Sequence, residues 1–189
     1  MAKTPSQLLN DIRSDDPFVR LAAAKHPNAT TEILMIAIQD KDQDVRWSAA
    51  SNPNATPEVL KIAIKDKDAD VRSGAASHSK ATPEILMVAL KDKDSGVRWN
   101  AAYNHNATPE VLMVAFKDRD MYVRRDAASN PNANLEVLKI AIKDKDPDVR
   151  KVAEDRINSD PVIALQYAAY KASQKKKNPA KSSPAGSRP

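Results

Sequence analysis

Residues 45–70 read VRWSAASNPNATPEVLKIAIKDKDAD, and the rest of the chain is largely this stretch rewritten. Its opening Val-Arg pair occurs at Val19-Arg20, Val45-Arg46, Val71-Arg72, Val97-Arg98, Val123-Arg124 and Val149-Arg150, always 26 residues apart. A fixed short period marks an array in which each unit buries its apolar face on the next. The chain is rich in Ala, Lys, Asp, Val and Ile, with three glycines and few aromatics, a composition that favours helices over strands.

Each unit divides into two short helices. At 100° per residue, Val45, Arg46, Ala49 and Ala50 share one side of the first helix, while Asp44, Trp47, Ser48 and Ser51 share the other. Ala-Ala pairs recur at 23–24, 49–50, 75–76, 101–102 and 127–128, so neighbouring helices can approach closely. In the second helix Val59, Leu60, Ile62, Ala63 and Ile64 cover roughly 200° of the circumference, leaving Glu58, Lys61 and Lys65 outside.

Caps set the boundaries. Thr4, Thr30, Thr56, Thr82, Thr108, Asn134 and Asp160 form one column of N-caps, with Pro following at 5, 57, 83, 109 and 161 and Glu in the first turn at 32, 58, 84, 110 and 136. A second column, Asp16, Asp42, Asp68, Asp94, Asp120 and Asp146, caps the first helix. The organisation expected is a solenoid over residues 1–170. It has a half-repeat at 4–14, repeats starting at 19, 45, 71, 97, 123 and 149, and a divergent capping helix at 160–173 whose Tyr167 and Tyr170 close the core. Residues 171–189 read as a disordered basic tail, because they are rich in Pro, Ser and Lys and lack apolar periodicity. The net charge is +5; the tail contributes +6 of it, leaving −1 for the rest.

The stretch VRWSAASNPNATPEVLKIAIKDKDADVR resembles the leucine-rich repeat variant family, whose units carry a VR…A…NP…TP-E-VL pattern, and more distantly the HEAT-like helical repeats. The match covers residues 4–165. The resemblance implies an all-α, right-handed superhelix of paired short helices that binds another macromolecule. The unit is slightly longer than that family's usual one, which leaves the first helix open between α and largely 3₁₀ and allows some 3₁₀ character in the second. The iron–sulfur module of one branch of the family does not carry over, since this chain has no cysteine.

Lack of cysteine also excludes disulfides and thiolate metal sites and fits a reducing, cytoplasmic home. Neither a signal peptide nor a membrane span is recognised. Asp-x-Asp-x-Asp at 40–44, 66–70 and 144–148 imitates a calcium loop. However, the positions that should hold the loop's Gly and Glu hold Val71 and Ser77, so helix capping is the expected role and no metal or cofactor is assigned. Arg46, Arg72, Arg98 and Arg124 fall on the packed side and need a carboxylate or helix-end carbonyls, which suggests a ladder along the stack. The column His26, Asn52, His78, Asn104 and Asn130 ends the first helix and is assigned to the turn there. Lys65, Lys91, Lys117 and Lys143, with Lys41, Lys67, Lys93, Arg119 and Lys145, form two basic columns. Adjacent aspartates are expected to cancel much of their field.

The outward face of the first helix varies instead of repeating. Trp47, Trp99, Asn100, Tyr103, Tyr122, Arg125 and Asp126 lie there, and Trp, Tyr and Arg together are the residues most often found as binding hot spots. The alternative for Trp47 and Trp99 is filler between units. This face is expected to be concave, and the leading reading is a non-catalytic scaffold for a protein or peptide, monomeric, with these residues as contacts. A second reading is nucleic-acid binding, with Lys175, Lys176, Lys177 and Lys181 on phosphates. A third is an enzyme, because proteins related to HEAT arrays include DNA glycosylases. Asp126 is the only lone acid in an aromatic setting and no clustered acid–base set accompanies it, so no enzyme is expected.

Overall fold

The computed structural model describes residues 3–177, and among these every regular element is a helix. A lone helix α1 (Pro5–Asp11) precedes the pairs α2 (Pro17–Lys25) and α3 (Thr31–Ala37), α4 (Gln43–Ser51) and α5 (Pro57–Ala63), and α6 (Ala69–Ser77) and α7 (Pro83–Ala89). Then come α8 (Ser95–Tyr103) with α9 (Pro109–Ala115), α10 (Met121–Ser129) with α11 (Leu135–Ala141), and finally α12 (Pro147–Ser159) and α13 (Pro161–Lys177). The fold is an all-α repeat array, as the period implies. None of the described helices is long and apolar enough to cross a membrane.

Both helices of the unit are α. Each first helix from α2 to α10 has nine residues and each second helix from α3 to α11 has seven. Three-residue hydrogen bonds appear at the helix ends: where the second helix tightens into the loop, as in Lys65 N–H to Ile62 C=O and Asp66 N–H to Ala63 C=O, both at 3.0 Å, and where the first helix closes, as in Asn52 N–H to Ala49 C=O at 3.4 Å. The aspartate column caps as expected: Asp68 Oδ1 accepts the Asp70 N–H at 2.9 Å, and Asp42, Asp94, Asp120 and Asp146 do the same in their units. The threonine column caps unevenly. Thr4, Thr108 and Asn134 accept a first-turn N–H, whereas Thr30, Thr56 and Thr82 make no side-chain cap bond.

Core columns run the length of the stack as one cluster from Leu8 to Ile157. Each layer from α4 to α11 contributes a Val and two Ala from the first helix and an aliphatic face from the second, such as Val45, Ala49, Ala50, Val59, Leu60 and Ala63. Alanine lets successive first helices lie flank to flank, and they touch one another more extensively than successive second helices do.

The C-terminal end departs from the pattern for local reasons. In the regular units the first helix stops at a residue whose side chain accepts the N–H two residues on, as Asn52 Oδ1 does from Asn54 and His78 Nδ1 from Lys80. Arg156 stands in that column, has no acceptor and is not followed by Pro, so α12 runs on to 13 residues. Asp160 then caps α13 through the Val162 and Ile163 N–H groups. That helix lies on α11 and α12, with Ile163 and Tyr167 against the core.

Helix α13 also corrects the expected boundary. It continues through Lys177 rather than ending at 173, so the first part of the predicted disordered tail, Lys175, Lys176 and Lys177 included, is helical. Lysine is a good helix former and is favoured near a helix C-terminus. The first breaker in the sequence is Asn178-Pro179. Lys181 lies outside the described residues.

Candidate functional site

Two ladders of polar contacts lie behind the variable face of the first helices. On the packed side, Arg46 Nε and Nη2 donate to Asp66 Oδ2 and Oδ1 at 2.7 and 3.1 Å, while Nη1 donates to the Asp40 and Lys41 carbonyls at 3.0 and 3.1 Å. The guanidinium therefore ties the loop before its own helix to the loop that starts the next unit. Arg20–Asp40, Arg72–Asp92, Arg98–Asp118 and Arg124–Asp144 repeat the bidentate pair, all with side chains more than nine-tenths buried. Burial alone would raise the carboxyl of Asp66, but the Arg46 fork and the Asp68 N–H outweigh it and hold it below the usual range; Asp40, Asp92 and Asp144 behave alike.

This corrects the reading of the Lys-Asp-Lys-Asp loop. Its first aspartate is not a surface charge that cancels its lysine neighbours; it is already neutralised by the arginine of the preceding repeat. A cue existed in the sequence, because Asp40, Asp66, Asp92, Asp118 and Asp144 recur in every unit as strictly as the capping column. All three aspartates of the calcium-like motif at 66–70 are accounted for: Asp66 pairs with Arg46, Asp68 caps α6, and Asp70 is exposed. No group of three or more His, Asp or Glu side chains among the described residues is arranged to hold a metal ion.

A second ladder runs along the other end of the first helices. Asn52 Nδ2 donates to Ala24 C=O and His26 C=O of the preceding unit at 2.8 and 3.2 Å, and Asn104 and Asn130 repeat the contact one and two units further on from His78. His78 holds the same place: its Nδ1 accepts the Lys80 N–H, so Nε2 carries the proton and donates to Asn52 C=O at 3.0 Å. The sequence located this column at a turn and missed that it also joins units. Asn54, Asn106 and Asn132 add a further pair of bonds each to the preceding unit.

The variable side presents rings to solvent. Trp47 is 40% exposed, Trp99 38%, Tyr103 55% and Tyr122 54%, so neither tryptophan is sealed filler between units. Trp99 and Tyr103, one helical turn apart on α8, stack with centroids 5.7 Å apart and planes 14° from parallel. Arg125 of α10 lies over Tyr122 at 5.1 Å, and a cleft of about 360 Å³ joins Trp99, Tyr122 and Arg125. On the other flank of the Trp99–Tyr103 pair a cleft of about 280 Å³ is lined by Ser77, Asn100 and His105. The structure thus gathers Trp99, Asn100, Tyr103, Tyr122 and Arg125. Trp47 sits two repeats away with Lys25 over its ring, in its own cleft beside Asp44 and Asp70.

Two positions lie deeper than their helical wheel suggested. Ser48, placed on the outer side, is buried, and its hydroxyl donates back to Asp44 C=O at 2.6 Å. Its column faces the seam between adjacent first helices, which is why Asn100 is half-buried with Nδ2 on Ser73 Oγ at 2.7 Å. Asp126 occupies the same column and is only 6% exposed, so it belongs to the seam and not to the open face. Its Oδ1 is 3.6 Å from Arg125 Nε, its Oδ2 has no partner, and burial pushes its carboxyl up despite the opposing Arg125 and Trp99.

No family model matches this chain, and no curated protein does. Among solved structures it is similar to an engineered protein solved by the Northeast Structural Genomics Consortium, with a TM-score of 0.47 and 19% identity over 78% of this chain and 92% of that one.

Proposed function

We propose that the chain is a non-catalytic helical-repeat scaffold of the leucine-rich-repeat-variant or HEAT-like kind, and that it binds a protein or peptide through the variable face of its first helices. The observation that carries this reading is the row of half-open rings, Trp99, Tyr103 and Tyr122 with Arg125, gathered on the variable face. Rigid aromatic side chains present large contact area at little entropic cost, and the ladders behind them hold the backbone in place. The burial of Asp126 supports the non-catalytic part, since a carboxylate in the seam does not reach a substrate on the open face. Trp47 and Trp99 are the only two tryptophans, so intrinsic fluorescence reports on this face directly. Peptides selected from a display library on the full chain should shift tryptophan emission. Trp99→Ala with Tyr103→Ala should weaken them by tenfold or more while melting stays cooperative. Selected peptides that bind with unchanged emission and unchanged affinity for that variant would refute the reading.

A second reading, nucleic-acid binding aided by the basic C-terminal segment, is favoured by one observation. Lys171 and Lys175 are exposed along α13, adding to the cations of the preceding loops.

A further inference from the structure

The buried arginine ladder changes the charge of the opposite edge of the stack. Where consecutive second helices meet the loops that follow them, two clefts open one repeat apart. The first, about 400 Å³, is lined by Lys91, Lys117 and Arg119 with Asp92, Arg98 and Asp118 at its base. The second, about 520 Å³, is lined by Lys117, Lys143 and Lys145 with Asp118, Arg124 and Asp144 at its base. Every aspartate in either lining is already committed to a buried arginine: Asp92 to Arg72, Asp118 to Arg98, and Asp144 to Arg124. Each cleft therefore keeps three cations outside any ion pair and no such acid, counted among the described residues.

From this geometry we infer that the second-helix edge is a track for the phosphate backbone of a single-stranded nucleic acid. The inference rests on the second reading above and relocates its main contact from the C-terminal segment to the solenoid. Lys117 belongs to both clefts, so the cations form a continuous line. Lys91, Lys117 and Lys143 recur once per repeat on one rim, with Arg119 and Lys145 on the other. Exposed lysines on flexible stems act as point charges, suited to a chain with one anion per unit and carrying no sequence readout. Between the rims lie apolar side chains, Leu90 and Val114 in one cleft and Phe116 and Ile140 in the other, where sugars and base edges can rest. At the C-terminal end the line continues: Lys139, held by Glu136, lies 4.6 Å over Tyr170, which stacks on Tyr167 beneath Lys171.

The test is fluorescence anisotropy with a labelled oligothymidylate on the full chain, titrated across a range of salt. Neutralising the rim with Lys91→Gln, Lys117→Gln and Lys143→Gln should weaken binding by tenfold or more at low salt. It should also flatten the slope of log affinity against log salt by about 2, since each single-strand phosphate contact contributes about 0.7. The three lysines are exposed, so melting should be unaffected; Trp99→Ala with Tyr103→Ala should leave the slope unchanged. If the rim variant keeps wild-type affinity and slope while Lys175→Gln, Lys176→Gln, Lys177→Gln and Lys181→Gln abolish binding, the track is wrong and the C-terminal segment is the whole contact. If polyglutamate of equal charge binds as tightly, the occupant is an acidic polypeptide and the inference also fails. Absence of any binding by the unaltered chain at low salt would instead remove the nucleic-acid reading itself.

Discussion

The packed and open sides of each first helix follow opposite rules. On the packed side the same columns return from unit to unit, and their polar groups find partners in the neighbouring repeat: arginine on aspartate at one end, asparagine or histidine on backbone carbonyls at the other. On the open side no column repeats, and in the seam beside it Asp126 Oδ2 is left without a partner. A repeat array must specify its own stacking in every layer, so the residues that stack are copied; residues that meet something other than a copy are free to differ. Identity between units thus marks cohesion, and divergence marks the surface available for recognition.

The sharpest way to break that contrast is to remove one rung. Arg98→Ala leaves the Asp118 carboxylate buried without its fork and strips the Asp92 and Lys93 carbonyls of their donor. A loss of about 3–5 kcal/mol is expected, read as a fall in the midpoint of urea unfolding. Replacing both partners, Arg98→Met with Asp118→Leu, should recover most of it, because two apolar groups avoid the orphaned charge. The column contains its own control. Arg150 bonds only to the Asp144 and Lys145 carbonyls, with no carboxylate among the described residues, so Arg150→Ala should cost about 1 kcal/mol. Equal losses at 98 and 150 would show that the carboxylate contributes nothing.

A smaller effect is expected from the second ladder. Asn104→Ala removes the donors on Ala76 C=O and His78 C=O and the acceptor for the Asn106 N–H, all within the stack. The expected loss is about 2 kcal/mol. Asn104→His should retain most of the stability, because His78 already fills the equivalent place one unit earlier with one ring nitrogen accepting and the other donating. A melt in which His is no better than Ala would show that the ladder is incidental to the stack.

How far the sequence carried this architecture depended on range. Helix starts were legible because Asp68 caps from within its own turn, and the packed columns because Val45, Ala49 and Ala50 share a face by arithmetic alone. The Arg46–Asp66 pair was not, since the two are 20 residues apart and meet only when the loop of one unit folds over the next. The end of α13 differs because the Pro, Ser and Lys composition of 171–189 reads as one disordered tail, whereas the helix propensity of the lysines at 175–177 and the absence of a breaker before Pro179 keep the helix going. For the open face, a helical wheel gives direction but not depth. It grouped Ser48, Asn100 and Asp126 with the tryptophans, although their column looks into the seam between helices.

Asp126 offers the finest test, because it is a buried carboxylate that Arg125 meets only at 3.6 Å through one oxygen, with no bidentate fork. Asp40, Asp66, Asp92 and Asp144 are held below the usual carboxylate value, so their contribution to stability is fully present above pH ~4 and is lost as pH falls through the lower folded values. Asp126 has the reverse sign. Its folded value is raised, so the folded state binds the proton more tightly than the unfolded chain does, and stability from this site is present below pH ~4 and is lost as pH rises through the raised value. Asp126→Asn keeps the shape and removes the charge that burial disfavours. It should stabilise the protein by about 1 kcal/mol at pH 7 and leave it nearly unchanged at pH 4. Thermal melts of the two proteins across that interval should converge as the pH falls. A constant gap between them would mean that the seam tolerates an ionised Asp126 without a bidentate fork.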